Sequence, residues 1–314
     1  MAITSQGPAL VWWFDDGRPG HRQQSLALVD ALQRQLPINA RAVTPVARLA
    51  ALRGLLGGRY RHATSEVPEL LVGCGHATHL DLLASRQRFA CPAVVLMRPS
   101  LPLGWFDFCI APAHDRLPER ANCLSTEGAL CRIPRGRAGT ECELGLFLIG
   151  GPSRHCHWEP ASLIRQILHI VEASRRQHWQ LSTSPRTPAA FLPALQQAVS
   201  DAGLDRRISL QDFNQLPGNW LESRLAECRE AWISPDSASM VYQALTAGVA
   251  CGLLSMPAKA GSRVLAGLQR MQQQGRVLTY EYWLRGQALQ APEPPLREAE
   301  RAANWLLRQL GWKS

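Results

Sequence analysis

The chain has 314 residues, about twice the length of a typical domain, which predicts two domains. Hydrophobic residues make up 46% and charged residues 19%, a composition that excludes a disordered chain. Lysine and arginine exceed the acidic residues by 34 to 25, so the formal charge is +9 and phosphate-bearing ligands are favoured. The basic residues are scattered singly, without zinc-finger spacing, which argues against a nucleic-acid partner.

Cysteine usage and hydropathy indicate where the protein works. The nine cysteines, an odd number, lie mostly in apolar runs and are expected to be buried thiols in a reducing compartment. No signal peptide is predicted at the N-terminus, and the uncharged segment 237–258 is interrupted by polar residues and Gly248, so it predicts a helix and a strand rather than a membrane span. We therefore expect a cytoplasmic protein with, at most, a peripheral contact to the anionic inner-membrane surface.

Short apolar runs alternate with amphipathic stretches along the chain, the pattern of parallel sheets covered by helices. In the first half, the predicted elements are a strand at 9–14, a helix at 23–36, a strand at 70–73, a helix at 77–88, and strands at 93–97 and 106–110. Residues 116–142 have few long apolar runs and are rich in Arg, Pro and Gly, so we expect a domain boundary near 135–143.

The alternation restarts at residue 144 with a nearly continuous apolar strand. The predicted elements of the second half are a strand at 144–149, a helix at 160–177, a strand at 179–183, a helix at 188–202, strands at 207–210 and 231–233, a helix at 238–247, a strand at 250–254 and a last helix at 296–310. The fold class is therefore α/β, with two similar Rossmann-like domains and a cleft between them.

In open α/β sheets, ligands bind beyond the carboxyl ends of the strands, so the loops after apolar runs carry the candidates. The first such loop, residues 15–25, crowds Asp16, Arg18 and His21 into one turn beside Gly17 and Gly20. The alternative is an ordinary polar turn in which an aspartate caps the following helix. No Gly-Lys-Ser/Thr follows, so this is not a Walker A loop.

The second loop, residues 73–79, has the first two glycines of a dinucleotide fingerprint. Thr78 stands where the third glycine is required, so a Rossmann dehydrogenase is weakly supported. His79 at the end of this loop either faces a cleft or has a structural role.

The third loop follows the strand at 144–149 and contains Gly151 and Ser153, which can receive a phosphate or a sugar. His155 and His157 suggest a metal, but the two histidines have no partner pair at zinc spacing, so a metal site is disfavoured.

The fourth loop, residues 234–240, leads into a helix and carries the hydroxyls of Ser237 and Ser239. Free amide groups, the helix dipole and these hydroxyls favour an anion such as a pyrophosphate. Arg186, in the loop at 182–188, offers a guanidinium for the same anion. In the alternative interpretation, Asp236 or Ser237 only caps the helix.

Five segments in chain order resemble motifs of the "elongated mitochondria" fission-factor family. They are residues 16–21 with Gln24, 111–115, 150–153, 184–188 and 236–240. The bacterial relatives of this family are regarded as glycosyltransferases. The resemblance implies a GT-B fold, with an acceptor domain at residues 1–140, a nucleotide-sugar domain at 141–314, and a last helix, about 296–310, that crosses back to the first domain.

The resemblance also implies roles for individual residues. The donor contacts that it implies are Gly151, Ser153, Arg186, Ser237, Ser239 and, near the ribose, Gln243. The catalytic candidates are Asp16, Arg18 and His21, with Asp16 or His21 as the base. The acceptor-side candidates are Gly17, Gly20, His79, Arg98 and His114.

The implied reaction moves a sugar from a nucleotide-activated donor to a cell-envelope glycan or glycolipid, similar to lipopolysaccharide core. The nucleotide-sugar is a substrate, and no cofactor or metal is implied, because helix dipoles and basic side chains stabilise the leaving diphosphate. Two alternatives stay open: a nucleotide-sugar epimerase, and a non-catalytic binding or scaffold protein. The sugar, the stereochemistry and the oligomeric state stay undetermined.

Overall fold

A computed structural model describes residues 7–57, 66–134, 144–174 and 178–312. The chain divides into two compact units, an N-terminal unit of Met1–Arg132 with Arg297–Ser314 and a C-terminal unit of Ile133–Leu296. The predicted boundary at residues 135–143, Cys142 and the end of the helix predicted at 160–177 lie outside the described residues.

Each unit is built on a six-stranded parallel sheet. The strands of the N-terminal unit are β1 (Ala9–Phe14), β2 (Ile38–Val43), β3 (Leu70–Cys74), β4 (Ala93–Leu96), β5 (Phe108–Pro112) and β6 (Cys123–Thr126), in the order β2-β1-β3-β4-β5-β6. The strands of the C-terminal unit are β7 (Leu144–Leu148), β8 (His178–Ser182), β9 (Ile208–Gln211), β10 (Glu230–Ile233), β11 (Ala250–Leu253) and β12 (Leu278–Thr279), in the order β12-β11-β10-β7-β8-β9.

The helices are α1 (Pro19–Gln33), α2 (Arg48–Leu55), α3 (His79–Phe89), α4 (Pro160–Ala173), α5 (Phe191–Asp201), α6 (Trp220–Glu227), α7 (Ala238–Ala247), α8 (Arg263–Gln273), α9 (Tyr280–Leu284) and α10 (Glu298–Leu310). Helices α1 to α8 lie in the connections between strands, and α9 and α10 follow the last strand. None of the helices in the described ranges combines the length and the apolar character needed to cross a bilayer.

The last helix, α10, packs within the N-terminal unit. Its alanines and leucines at three- and four-residue spacing join the core formed by β1, β3 and α1. Buried Glu298 accepts a hydrogen bond from the amide N of Glu127 at 2.7 Å, and Arg301 donates to the carbonyl oxygen of Ser125 at 2.6 Å. Residues after 296 therefore belong to the N-terminal unit, to which the last helix was expected to cross back, although the predicted second domain extended to residue 314.

Close packing between neighbouring strands fixes the core of the C-terminal unit. A Cβ at Gly145 on β7 would lie 2.4 Å from the ring of Trp179 on β8, and a Cβ at Gly252 on β11 would lie 2.4 Å from the ring of Trp232 on β10. Both indole rings are buried, so each strand carries a glycine where the neighbouring strand carries a tryptophan.

The described cysteines are all free thiols, and seven of the eight are buried, as expected from their apolar runs. Burial raises the pKa of Cys91 and of Cys109 to about 12 and that of Cys156 to about 11. These thiols therefore stay protonated at neutral pH and act as small apolar side chains.

Candidate functional site

In the C-terminal unit, the direction in which the chain adds strands to the sheet reverses between β7 and β10. The chain runs from β7 outward to β8 and β9, then returns to β10 on the other side of β7. At such a switch point the loops after the two neighbouring strands separate and leave a crevice for a ligand. Here the amide N of Gly150, after β7, donates to Ser234 Oγ, after β10, at 2.7 Å.

Asp236 joins three segments at this switch point. Its Oδ2 accepts from the amide N of Gly151 at 3.0 Å, from Arg186 Nη2 at 2.7 Å and from Ser237 Oγ at 3.3 Å. Arg186 also donates to Ser237 Oγ at 2.8 Å. The Asp236 side chain is fully buried, whereas 43% of the Arg186 side chain is exposed. The structure thus brings together the predicted donor residues Gly151, Arg186 and Ser237 around a carboxylate.

The two glycines after β7 permit this approach. A Cβ at Gly150 would lie 2.1 Å from Asp236 Oδ2, and a Cβ at Gly151 would lie 2.1 Å from the carbonyl oxygen of Arg186. Both distances are far shorter than van der Waals contact, so only glycine lets the three loops close on one another.

Ser237 does not cap α7 with its side chain. Its hydroxyl donates to Asp236 and accepts from Arg186, so the first amide groups of α7 keep their capacity to bind an anion. The interpretation that Ser237 is only a cap is therefore wrong. Ser239 is exposed in the first turn of α7, and Gln243 is half-buried one turn further on the same face.

Ser153 belongs to a neighbouring turn. Its Oγ accepts from the amide N of His155 at 3.0 Å and of Cys156 at 3.3 Å, so the hydroxyl holds its own loop. Lys259 Nζ donates to the carbonyl oxygen of Ser153 at 2.7 Å. No motif in the sequence points to Lys259, because it comes from the loop after β11, about a hundred residues away from Ser153.

The N-terminal unit has its own switch point at β1, which pairs with β2 on one side and β3 on the other. After β1, His21 Nδ1 lies 2.8 Å from Asp16 Oδ2, and Asp16 Oδ1 accepts from the amide N of Arg18 at 3.1 Å. Since an ionised carboxylate only accepts, this contact favours the tautomer with the proton on Nδ1, in which Nε2 of a neutral imidazole carries the lone pair. Arg18 Nε lies 4.0 Å from Asp16 Oδ2, so the three predicted catalytic residues form one cluster.

Gly75, after β3, provides the surface on which the His21 ring rests. Its φ is +78°, and a Cβ there would lie 2.3 Å from His21 Cε1. The second glycine of the loop at 73–79 therefore makes room for an imidazole from the first loop, a relation that the sequence did not reveal. Gly17, also at φ +78°, and Gly20 shape the turn that carries Asp16 and begins α1.

Arg98 and His114 meet at Asp115, where β4 and β5 end. The Arg98 guanidinium donates to the carbonyl oxygens of Asp115 at 3.0 Å and Arg116 at 2.9 Å, and its amide N donates to Asp115 Oδ2 at 3.3 Å. His114 Nε2 lies 3.8 Å from Asp115 Oδ1. The Arg98 guanidinium thus uses part of its hydrogen-bonding capacity to hold the loop after β5, although the residue is exposed.

His79 is buried, so it offers no accessible atom to an acceptor. Its ring meets the Phe106 ring edge-on at 5.5 Å, and its Nδ1 lies 3.4 Å from Ser100 Oγ. Burial, with a smaller effect of His76, lowers the pKa of His79 to about 4. Of the two roles left open for this histidine, the structure favours the structural one.

The low pKa of His79 is expected to make stability depend on pH. Its contribution is complete above the ordinary pKa of 6.5 and is lost as the pH falls towards 4, since the unfolded chain then binds a proton that the folded imidazole does not. Urea unfolding at about pH 7 and about pH 4.5 measures the loss, on the order of 3 kcal/mol at most. His79→Leu should flatten this dependence. His178→Gln, at an exposed site, should leave it intact, and an unchanged profile in His79→Leu would contradict the assignment.

Within the described residues, no group of three His, Cys, Asp or Glu side chains is arranged to hold a metal ion. His155, which suggested one in the sequence, has its Nδ1 2.9 Å from Ser262 Oγ. The reaction's independence of metal stays a prediction.

Solved structures with the same architecture have little sequence identity to this chain. The UDP-GlcNAc 2-epimerase from Methanocaldococcus jannaschii has a TM-score of 0.53 at 10% identity and covers 96% of this chain and 99% of its own. The glycotransferase of kitacinnamycin has a TM-score of 0.52 at 12% identity, with the same coverage. S. aureus MnaA with UDP has a TM-score of 0.50 at 10% identity, covering 95% and 88%. No match was found among curated proteins.

At these identities the likeness shows the fold alone. The two parallel six-stranded sheets with flanking helices are Rossmann-like domains of the GT-B type, which confirms the predicted fold class. A family model described as "Mitochondrial fission ELM1" matches residues 19–310, nearly the whole chain. This match confirms the resemblance found in the sequence, and the chain belongs to the mitochondrial fission ELM1 family.

Proposed function

We propose that the chain is a glycosyltransferase that moves a sugar from a nucleoside diphosphate donor to a cell-envelope glycan or glycolipid of the lipopolysaccharide-core kind. The observation that carries the proposal is the cluster of Asp236, Arg186, Ser237 and Gly151 at the switch point of the C-terminal sheet. In this proposal the protein works in the cytoplasm and contacts the inner membrane peripherally.

The donor's diphosphate would lie against the start of α7. Amide groups there carry the positive end of the helix dipole, and the half-exposed Arg186 has N–H groups beyond those that hold Asp236 and Ser237. Asp236 fixes the direction of the guanidinium and of the loop after β7. Ser239 and Gln243, on one face of α7, would contact the phosphate and the ribose. These groups stabilise the negative charge that develops as the bond between sugar and phosphate breaks.

The acceptor hydroxyl would be activated in the N-terminal unit. His21 accepts its proton at Nε2, and Asp16 orients the ring and stabilises the imidazolium through Nδ1. The acceptor oxygen then forms the new glycosidic bond while the nucleoside diphosphate leaves with the electron pair of the broken bond. Arg18, close to Asp16 but with an exposed side chain, can bind an acceptor phosphate.

Nucleotide binding is the direct test of the donor site. We expect at least one of UDP, ADP, GDP or CDP to raise the Tm, since a ligand at a hundred times its Kd stabilises the folded state by about 2.7 kcal/mol. Arg186→Ala should remove most of this rise. Arg206→Ala, which deletes an exposed arginine just before the edge strand β9, at the end of the strands away from the donor loops, should preserve it.

Two results of this screen would contradict the donor site. If no nucleoside diphosphate or nucleotide-sugar changes the Tm, the proposal fails. If Arg186→Ala and Arg206→Ala respond like the unmodified protein, the nucleotide binds elsewhere.

An epimerase is the second candidate, since one of the similar solved structures is a UDP-GlcNAc 2-epimerase. Incubation with UDP-GlcNAc alone separates the two activities: an epimerase changes the sugar without an acceptor, whereas a transferase needs one. A non-catalytic scaffold would do neither, and its cellular role would survive His21→Ala and Asp16→Ala.

A further inference from the structure

The outer face of α2 carries three exposed leucines. Leu49, Leu52 and Leu56, the last at the C-terminal end of the helix, are 73%, 44% and 80% exposed. Single exposed leucines are ordinary on protein surfaces. These three recur at intervals of three and four residues, so they form one continuous apolar stripe along the helix.

Arginines border this stripe on both sides. With about 100° between successive residues, the three leucines cluster around one direction, Arg48 lies on one side of them and Arg53 on the other. The opposite face, with buried Ala51 and half-buried Leu55, packs towards the protein. We call the exposed set of Arg48, Leu49, Leu52, Arg53 and Leu56 the α2 leucine face.

The helix that presents this face is held in place. It packs beside α3, and the amide N of Val46, just before it, donates to the buried Asp81 of α3 at 2.9 Å. The leucines therefore stay exposed because the fold orients them outward, and turning them inward would break this contact.

We propose that the α2 leucine face docks on an anionic lipid surface, with its leucines in the acyl boundary and its arginines at the lipid phosphates. An apolar stripe bordered by arginines suits a helix that lies in the membrane interface, and guanidinium groups pair well with phosphate oxygens. The charge of +9 adds a long-range attraction to such a surface. The inference gives the peripheral contact of the proposed function a location, but it requires neither a donor nor a base.

A second copy of the chain fits this face less well. In a two-fold symmetric dimer the same patch meets itself, so the arginine borders of the two copies would approach each other. An anionic surface pairs with both arginines and covers the leucines at the same time.

Vesicle binding by the full chain tests the proposal. We expect co-sedimentation with vesicles of phosphatidylcholine and phosphatidylglycerol, little with phosphatidylcholine alone, and weaker binding as salt rises. Leu49→Gln with Leu56→Gln, which keeps the charge, should lower the partition constant at least about tenfold. Arg48→Gln with Arg53→Gln should lower it by about thirtyfold at low salt.

Matched control variants distinguish binding through the α2 leucine face from non-specific adsorption to vesicles. Leu284→Gln, at a leucine 52% exposed in the C-terminal unit, and Arg206→Gln should bind vesicles like the unmodified protein. Two results would overturn the proposal. One is equal binding to vesicles with and without phosphatidylglycerol, and the other is binding that neither pair of α2 substitutions weakens. A dimer in sedimentation velocity that the leucine substitutions dissociate would also overturn it, because a second copy would then cover the face.

Nucleotide-induced Tm shifts on the same variants keep this inference apart from the proposed function. All α2 variants should retain the shift of the unmodified protein, which shows that they are folded. Charge-dependent vesicle binding without any nucleotide shift would uphold the α2 leucine face and count against the transferase.

Discussion

Replacing His21 with asparagine is expected to lower kcat for sugar transfer by about a hundredfold to ten-thousandfold. In the proposed mechanism the hydrogen bond from His21 Nδ1 to Asp16, at 2.8 Å, leaves Nε2 to accept the proton of the acceptor hydroxyl. An asparagine amide fits beside Gly75 but does not take up a proton. The measurement is the initial rate of transfer from the nucleotide-sugar that stabilises the protein to an envelope glycolipid extract.

The companion measurements locate the loss in the chemical step. The nucleotide-induced Tm shift should be unchanged in His21→Asn, because the donor residues lie in the C-terminal unit. Asp16→Asn should also lower kcat, since a neutral amide no longer stabilises the imidazolium and no longer fixes which ring nitrogen carries the proton. His178→Asn, at an exposed histidine on β8, is the matched control. A His21→Asn enzyme that keeps its full rate would assign the base to another residue.

Removing the carboxylate of Asp236 is expected to damage both stability and donor binding. Asp236→Ala leaves the buried amide N of Gly151 without its acceptor, at a cost of about 1–3 kcal/mol in the free energy of unfolding. It also frees Arg186 from its fixed direction, so the nucleoside diphosphate should bind at least about tenfold more weakly.

Asp236→Asn separates these two effects. Its amide oxygen can still accept from Gly151, so stability should recover in part, whereas the pairing with Arg186 is lost and the nucleotide affinity stays low. Urea unfolding and nucleotide titration measure the two quantities, with Glu172→Gln, an exposed acid on α4, as the control. If Asp236→Asn binds nucleotide as tightly as the unmodified protein, Asp236 has only a structural role.

Much of the fold was predictable because buried strands and amphipathic helices leave a clear pattern. The strand at 9–14 and the helix at 238–247 agree with β1 and α7 to the residue, the helix because Gly248 ends it at φ +77°. The helix predicted at 23–36 is α1 at Pro19–Gln33, which begins earlier because Pro19 is suited to a first turn.

Elements with little buried surface were missed. They are β2, α2, β6, α6, α8, α9 and β12. The edge strand β2 buries only its two ends, so it lacks the alternation of apolar and polar residues that identifies a strand. The helix α2 has leucines at helical spacing, but it has only 8 residues and buries only Ala51, so it lacks the apolar core face that identifies a longer helix. The segment 116–142, predicted without a strand, contains β6. This strand is stabilised by its hydrogen bonds to β5, although its own sequence shows little strand pattern.

The sequence by itself determined the alternation of strands and helices, the two domains, and the loops that carry the candidate residues, because each depends on residues close together in the chain. Only the tertiary structure decided that Asp236 holds Gly151 and Arg186, that the His21 ring lies against Gly75, and that His79 is buried. These contacts join segments far apart in sequence. The order of the strands in each sheet determines which of these segments meet. That order cannot be read from the local sequence pattern of any one strand.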